Sequence, residues 1–172
     1  MTEGTPPVSG PGRDSITGEA DSPIAIRPIQ REDFLASHAL WDRYLAFYGR
    51  TGLTSVSEAV TRTTWARFLD PAVPIHALVA DHHGKVLGFA HYLFHSSTTQ
   101  IQPCCYLEDL FTDEESRGQG IGRALIAAVC MHAQQAGSTS VYWQTQKGNR
   151  RARRLYDRVA RDTGFMVYSR GL

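Results

Sequence analysis

Between Arg117 and Gly122 the chain reads R-G-Q-G-I-G, with a further arginine at Arg123. Glycines let backbone N–H groups converge without Cβ atoms in the way, and a helix beginning there adds partial positive charge. Such a turn suits a phosphate or pyrophosphate. Spacing narrows the kind. A Walker loop closes with Gly-Lys and then Ser or Thr, but Gly122 is followed by Arg123 and Ala124, so the lysine and the magnesium hydroxyl are missing. A dinucleotide fingerprint, G-x-G-x-x-G, opens a βαβ unit and has an acidic residue about 20 positions on. Gly118, Gly120 and Gly122 are instead two apart. The pattern that fits is R-x-x-G-x-G at Arg117, Gly120 and Gly122. Taken alone, it could equally be a glycine-rich strand-to-helix turn.

Other polar residues could carry chemistry. Glu108 and Asp109 interrupt the apolar stretch Tyr106 to Thr112. Alternation sends them to opposite sheet faces unless a bulge intervenes. On an isolated strand the pair would simply face solvent, but in one so apolar the desolvation cost argues for a purpose. Asn149 is a good N-cap, worth ~1 kcal/mol over Ala, and Tyr156 is by residue type a core aromatic. Arg150, Arg154, Arg158 and Arg161 form a helical stripe, a solvated face or a docking patch for phosphates or an acidic partner. His82 and His83 sit at a hairpin turn, and His91 and His95 share a strand face. Neither pair has the further ligands a zinc site needs. Cys104, Cys105 and Cys130 are read as reduced thiols: adjacent cysteines on a strand point apart, and no histidine is tied to either as a base.

The elements that position these residues follow from periodicity. Tyr106 to Thr112 is a strand, and from Ile121 the period changes to a helix with Ile121, Leu125 and Val129 on one stripe, stopped by Gly137. Before it come a strand at Ile24 to Ile29 and a wide-faced helix from Arg31 to Tyr48. A second helix is capped by Ser55 and Glu58, with Val56, Val60 and Phe68 on its buried side. Ile75 to Ala80 and Val86 to Phe94 form a hairpin through Asp81-His82-His83-Gly84. After Gly137 come a strand at Ser140 to Thr145, a helix from Asn149, and a closing strand at Phe165 to Tyr168. The order βααβββαβαβ implies a mixed sheet with helices on both faces, an α/β (α+β) fold.

The 172 residues suit one domain, from residue 23 to 172, after a tail, Met1 to Ser22, whose Gly, Pro and Ser content reads as disordered. A formal net charge of +1 gives no field pointing to nucleic acid or an anionic membrane. No apolar run is long enough to span a bilayer, and the start lacks the features of a secretory signal, so a cytoplasmic location is expected.

With Arg117, Gly120 and Gly122 between a strand and a helix, the chain resembles the GNAT superfamily of acyl-CoA-dependent N-acetyltransferases, from Ile24 to Leu172. Asn149-x-x-Ala152-x-x-Leu155-Tyr156 resembles the superfamily's closing motif, although seven residues separate Tyr156 from Gly164, more than is usual there. Tyr106-Leu107-Glu108-Asp109-Leu110 resembles the corresponding strand of spermidine/spermine N-acetyltransferases and of HPA-type histone acetyltransferases. Val141-Tyr142-Trp143 is closest in look to the latter.

The resemblance implies a central sheet of about seven strands flanked by four helices, acetyl-CoA as cosubstrate, no metal, a small-molecule or peptide amine as acceptor, and a possible homodimer. It implies that Leu110, Phe111, Thr112, Arg117, Gly118, Gln119, Gly120, Ile121, Gly122, Arg123 and Asn149 contact the cofactor, with amides around Phe111 and Thr112 holding the thioester carbonyl. A primary amine is almost all ammonium at pH 7, and freeing its lone pair costs about 4–5 kcal/mol. Glu108, acting through a water, is then the expected base, Asp109 attracts the cation, and Tyr156 protonates the departing thiolate. A non-catalytic acyl-CoA-binding sensor is the alternative.

Overall fold

The computed structural model describes residue 1 and residues 23–171. The expected tail therefore lies, apart from Met1, outside the described residues. Strands β1 (Ala25–Pro28), β2 (Ile75–His82), β3 (Lys85–His95), β4 (Cys104–Thr112) and β5 (Val141–Tyr142) form one sheet in sequence order. Pairing is antiparallel from β1 to β4 and parallel between β4 and β5. Helices α1 (Phe34–Phe47) and α2 (Glu58–Phe68) precede β2, α3 (Ile121–Gln135) is the crossover from β4 to β5, and α4 (Arg150–Val159) follows.

The β2–β3 hairpin turns where expected. His83 and Gly84 both have positive φ, 52° and 80°, as a two-residue turn matching strand twist requires, and the Gly84 N–H donates to Asp81 Oδ1 at 2.7 Å. β3 is buried on both faces from Val86 to Tyr92, because helices cover the sheet above and below. On one face Leu78, Ala90 and Leu107 pack against Ile121, Leu125 and Val129, the apolar stripe of α3. On the other, Val79, Phe89 and Phe111 meet Leu40, Trp41 and Tyr44 of α1 and Trp65 and Phe68 of α2.

Three expectations need correction. Among the described residues the sheet has five strands rather than about seven. Ser140 to Thr145 contributes only Val141–Tyr142, and Phe165 to Tyr168 forms no strand. Gly164, at φ 75° with its N–H donating to Asp162 Oδ1, turns the chain after α4, and the following side chains stay in solvent. The cap of α2 is Ser57, whose Oγ accepts from the Val60 N–H, whereas Ser55 Oγ donates to the Gly52 carbonyl. Val60 is 53% exposed; Trp65 and Phe68 form the face that packs.

Candidate active site

β4 carries the site, and one irregularity in it decides where the carboxylates go. His91 pairs with Asp109, but Tyr92 pairs with Leu107, so Glu108 is an extra residue with no partner on β3. Such a bulge breaks the alternation that would send neighbours to opposite faces. Glu108 and Asp109 accordingly line one cavity of ≈ 400 Å³ between α1, α2 and the sheet. Phe34, Trp41, Trp65 and Phe68 wall it, and Arg50 and Arg67 also face it. Burial, reinforced by the neighbouring Asp109, pushes the Glu108 carboxyl above its ordinary range, with His91 acting in the opposite sense. Asp109 accepts from the Tyr44 hydroxyl at 2.6 Å through Oδ1 and meets His91 Nδ1 at 3.0 Å through Oδ2.

A second cavity, of ≈ 410 Å³, opens where β4 and β5 part. These strands pair only at Cys105–Val141 and Tyr106–Tyr142, so β4 from Leu107 onward has a free edge. The Asp113 N–H donates to the Leu87 carbonyl at 2.8 Å, which fixes the alternation along β4. The amides of Leu110 and Thr112 therefore face the open side, and that of Phe111 faces β3. Leu110, Phe111 and Thr112 all line the cleft.

The glycine turn closes one end of this cleft. Gly118 and Gly120 have φ of 86° and 82°, conformations that cost an L-residue about 1–2 kcal/mol. Gly120 caps α3 without any side-chain hydrogen bond, which leaves the first amides of the helix for a ligand. Gly122 serves a different purpose: a Cβ there would stand 3.2 Å from Leu155 Cδ2, so its absence lets α4 approach α3. Of the expected turn residues, Arg117, Gly118, Gly120, Ile121, Gly122 and Arg123 line the cleft, and Gln119 does not. Arg117 is folded back, donating to the Thr112 carbonyl at 3.2 Å and pairing with Glu114 at 2.7 Å.

The other wall is α4. Asn149 Oδ1 accepts from the Ala152 N–H at 3.2 Å, the expected N-cap, and its Nδ2 donates to Thr145 Oγ1 at 3.3 Å. Asn149 and Tyr156 both line the cleft. Burial raises the Tyr156 phenol to about 12, with Tyr48 adding a smaller push. It is thus a protonated donor at neutral pH. Within the arginine stripe only Arg154 reaches the cleft, joined by Arg151 from the next helical row; Arg161 lies beyond the end of α4.

Tyr44, Tyr48, His91 and Arg151 belong to these cavities and were not singled out as site residues by motif. The signal for His91 was weak: it shares a strand face with His95, yet His95 Nε2 bonds the Tyr142 hydroxyl, so the two serve different surroundings. Among the described residues no group of three or more His, Cys, Asp or Glu is placed to hold a metal ion. No helix among them is long and apolar enough to cross a membrane.

Comparison with known proteins adds to this geometry. Residues 35–160 match the family described as "Acetyltransferase (GNAT) family". The D-amino-acid N-acetyltransferase HPA3 of Saccharomyces cerevisiae is 36% identical over 149 residues, covering 86% of this chain and 90% of the relative. An uncharacterized N-acetyltransferase of Bacillus subtilis, YhfO, is 30% identical over 148 residues, covering 83% and 94%. Among solved structures, the aminoglycoside N-acetyltransferase AAC(6')-Iy in complex with CoA superposes with a TM-score of 0.74 at 17% identity, covering 89% of this chain and 97% of that one. That likeness is one of fold.

Proposed function

Because the chain belongs to the GNAT acetyltransferase family, we propose that it acetylates a primary amine held in the aromatic cavity, taking the acetyl group from acetyl-CoA in the cleft beside it. Acetyl-CoA supplies a thioester whose carbonyl carbon accepts the amine. The cleft has the features such a substrate needs. Uncapped amides of α3 and the turn of Gly118 and Gly120 suit a pyrophosphate, Arg151 and Arg154 suit its other negative groups, and Gly122 keeps the slot between α3 and α4 narrow. The amides of Leu110 and Thr112, on the free edge of β4, are placed to donate to the carbonyl oxygen as it gains charge.

The observation that carries the reading is the bulge at Glu108, which brings both carboxylates to one aromatic-walled cavity, on the strand whose free edge begins at Leu107. Glu108 takes the ammonium proton, directly or through a water. Its raised pKa brings it closer to the working pH and makes it a better base than a free carboxylate. Asp109 adds negative charge that favours the cationic form on arrival. Tyr156 donates a hydrogen bond to the departing sulfur. Outright transfer from a phenol near 12 to a thiolate whose acid is near ~8.5 would run uphill by roughly 4–5 kcal/mol, so donation without full transfer is the phenol's contribution.

The acceptor class is a polyamine-like or lysine-type amine, and the relative named for D-amino acids adds free amino acids. Carboxylates and arginines on one aromatic-walled cavity suit a zwitterion as well as a polycation. The protein works in the cytoplasm as a homodimer: Phe165, Met166, Val167 and Tyr168 are 91%, 64%, 63% and 86% exposed, an apolar run that a second copy would cover. Thiol release from acetyl-CoA, screened against polyamines, lysine peptides, D- and L-amino acids and aminoglycosides, tests the activity. Absence of release with every class overturns it.

A further inference from the structure

Asp109 does not face its cavity as a bare carboxylate. Both oxygens are engaged, Oδ1 by the Tyr44 hydroxyl at 2.6 Å and Oδ2 by His91 Nδ1 at 3.0 Å. An ionised carboxylate only accepts, so Nδ1 carries the hydrogen, and in the neutral ring Nε2 carries the lone pair. The ring is held in that orientation. Phe89 stacks on it at 4.5 Å with 17° between planes, Phe68 lies at 4.6 Å and Trp41 at 5.5 Å. His91 is only 9% exposed, and it lines the same cavity as Glu108. A buried imidazole with one nitrogen anchored to a carboxylate, in the wall of a cavity it shares with Glu108, is an oriented proton acceptor.

The acetyl-transfer reading gives such a group work to do. An ammonium acceptor loses two protons on becoming an amide. The first must go before attack, to free the lone pair. The second leaves the nitrogen once it has bonded to the acetyl carbon. Glu108 can hold only one of them, and while protonated it cannot act again.

We propose that His91 is a second catalytic base, taking at Nε2 the proton that the acceptor nitrogen sheds as its bond to the acetyl carbon forms, with Asp109 as its positioning residue. The inference rests on acetyl transfer being the activity. In the step, the nitrogen lone pair forms the N–C bond, and the C–S bond breaks with its electrons on sulfur. The N–H proton passes to His91, and the thiolate, hydrogen-bonded by Tyr156, is protonated from solvent. His91 and Glu108 return their protons to water after release, so one ammonium and one thioester give one amide, one thiol and one net proton. The titratable or charged groups lining the cavity around His91 are Glu108 and Asp109 on β4, His38 on α1, Arg67 on α2 and Arg50 in the loop between those helices; Tyr44 of α1 reaches Asp109.

The test uses the full chain with an acceptor that the unsubstituted protein turns over; absence of any such acceptor counts against acetyl transfer itself. Nitrogen-15 NMR of the imidazoles should find His91 in the Nδ1–H tautomer, and kcat should fall on the acid side with two ionisations. His91→Gln should lower kcat by 10²-fold or more, leave CoA affinity within twofold, and reduce the acid limb to one ionisation. Asp109→Asn can donate to Nδ1, so it should invert the tautomer and lower kcat comparably. An Nε2–H tautomer in the unsubstituted protein overturns the proposal whether or not the variants fold. So does a His91→Gln protein with kcat within twofold, or one whose acid limb still shows both ionisations.

Discussion

The hydroxyl of Tyr44 donates to Asp109 Oδ1 at 2.6 Å, and this single bond joins the two cavities. Tyr44 lines the cleft walled by the glycine turn and α4, whereas Asp109 lines the aromatic-walled cavity. Burial and the adjacent Asp109 carboxylate push the Tyr44 phenol far above its ordinary range, so it stays a donor at every working pH. α1 is thereby tied to β4 where the two cavities adjoin.

Tyr44→Phe removes the donor and leaves Asp109 Oδ1 without this partner. A hydrogen bond to a charged group contributes ~1.5–3 kcal/mol, so a fall of roughly 10–100-fold in kcat/KM for the amine is expected. CoA affinity, measured by calorimetry, should change far less, because the Tyr44 ring stays in the cleft and the carboxylate that loses its donor lies in the other cavity.

Glu108 gives a pH prediction. Only the ionised form accepts a proton, and the raised pKa keeps the acid neutral to higher pH than a free glutamate. The acid limb of kcat/KM should therefore lie above the ordinary carboxylate range. Glu108→Gln should cost 10²- to 10⁴-fold in kcat and remove that ionisation from the profile. Retained turnover across pH would show that another group is the base.

The glycine turn and the start of α4 were legible in the chain because they are local. Strand, glycine turn and α3 are contiguous, their periods differ, and Asn149 needs only Ala152, three residues on, to act as a cap. The aromatic-walled cavity was legible only in part. Glu108 and Asp109 stand out as charges in an apolar strand, but whether they share a face depends on a bulge opposite His91 and Tyr92, a pairing between strands that no window of sequence contains. His91 is harder still, since its partner Asp109 is 18 residues away on another strand and its ring contacts come from α1 and α2. The closing strand failed for a related reason: the apolar run Phe165 to Tyr168 after Gly164 is strand-like by residue type, but a strand needs a neighbour to pair with.

Tyr156→Phe tests the leaving-group side. With the phenol at about 12, the hydroxyl is present as a donor throughout the range where the protein is assayed. Its removal should lower kcat by roughly 10–100-fold, the worth of one hydrogen bond to developing charge, with CoA binding nearly unchanged. A thioester of a more acidic thiol needs less help in leaving and should show a smaller deficit.

The apolar run after α4 predicts an assembly. Phe165→Asp with Tyr168→Asp places two charges among residues that are 91% and 86% exposed in the single chain. If a second copy covers them, the doubly substituted protein should sediment as a monomer where the unsubstituted chain sediments as a dimer. If both forms are monomeric, the segment has some other role.

Gly122 and Gly118 separate two demands made on one turn. Val at position 122 has no room: its Cβ would be 3.2 Å from Leu155 Cδ2 and 3.8 Å from Thr112 Oγ1, and its two methyl groups extend further. α4 must then move away from α3, widening the cleft that Asn149 and Tyr156 wall, so CoA affinity should fall at least tenfold. Ala at position 118 meets nothing within 4 Å, but its φ of 86° is strained for an L-residue. Its cost, about 1–2 kcal/mol, should appear chiefly in thermal stability, since the widths of the cleft and of the α3–α4 contact are untouched. Calorimetric titration with CoA alongside thermal unfolding of both variants distinguishes a steric role for Gly122 from a merely conformational one. Equal losses of affinity would show that the turn's backbone conformation, and not the approach of α4, controls binding.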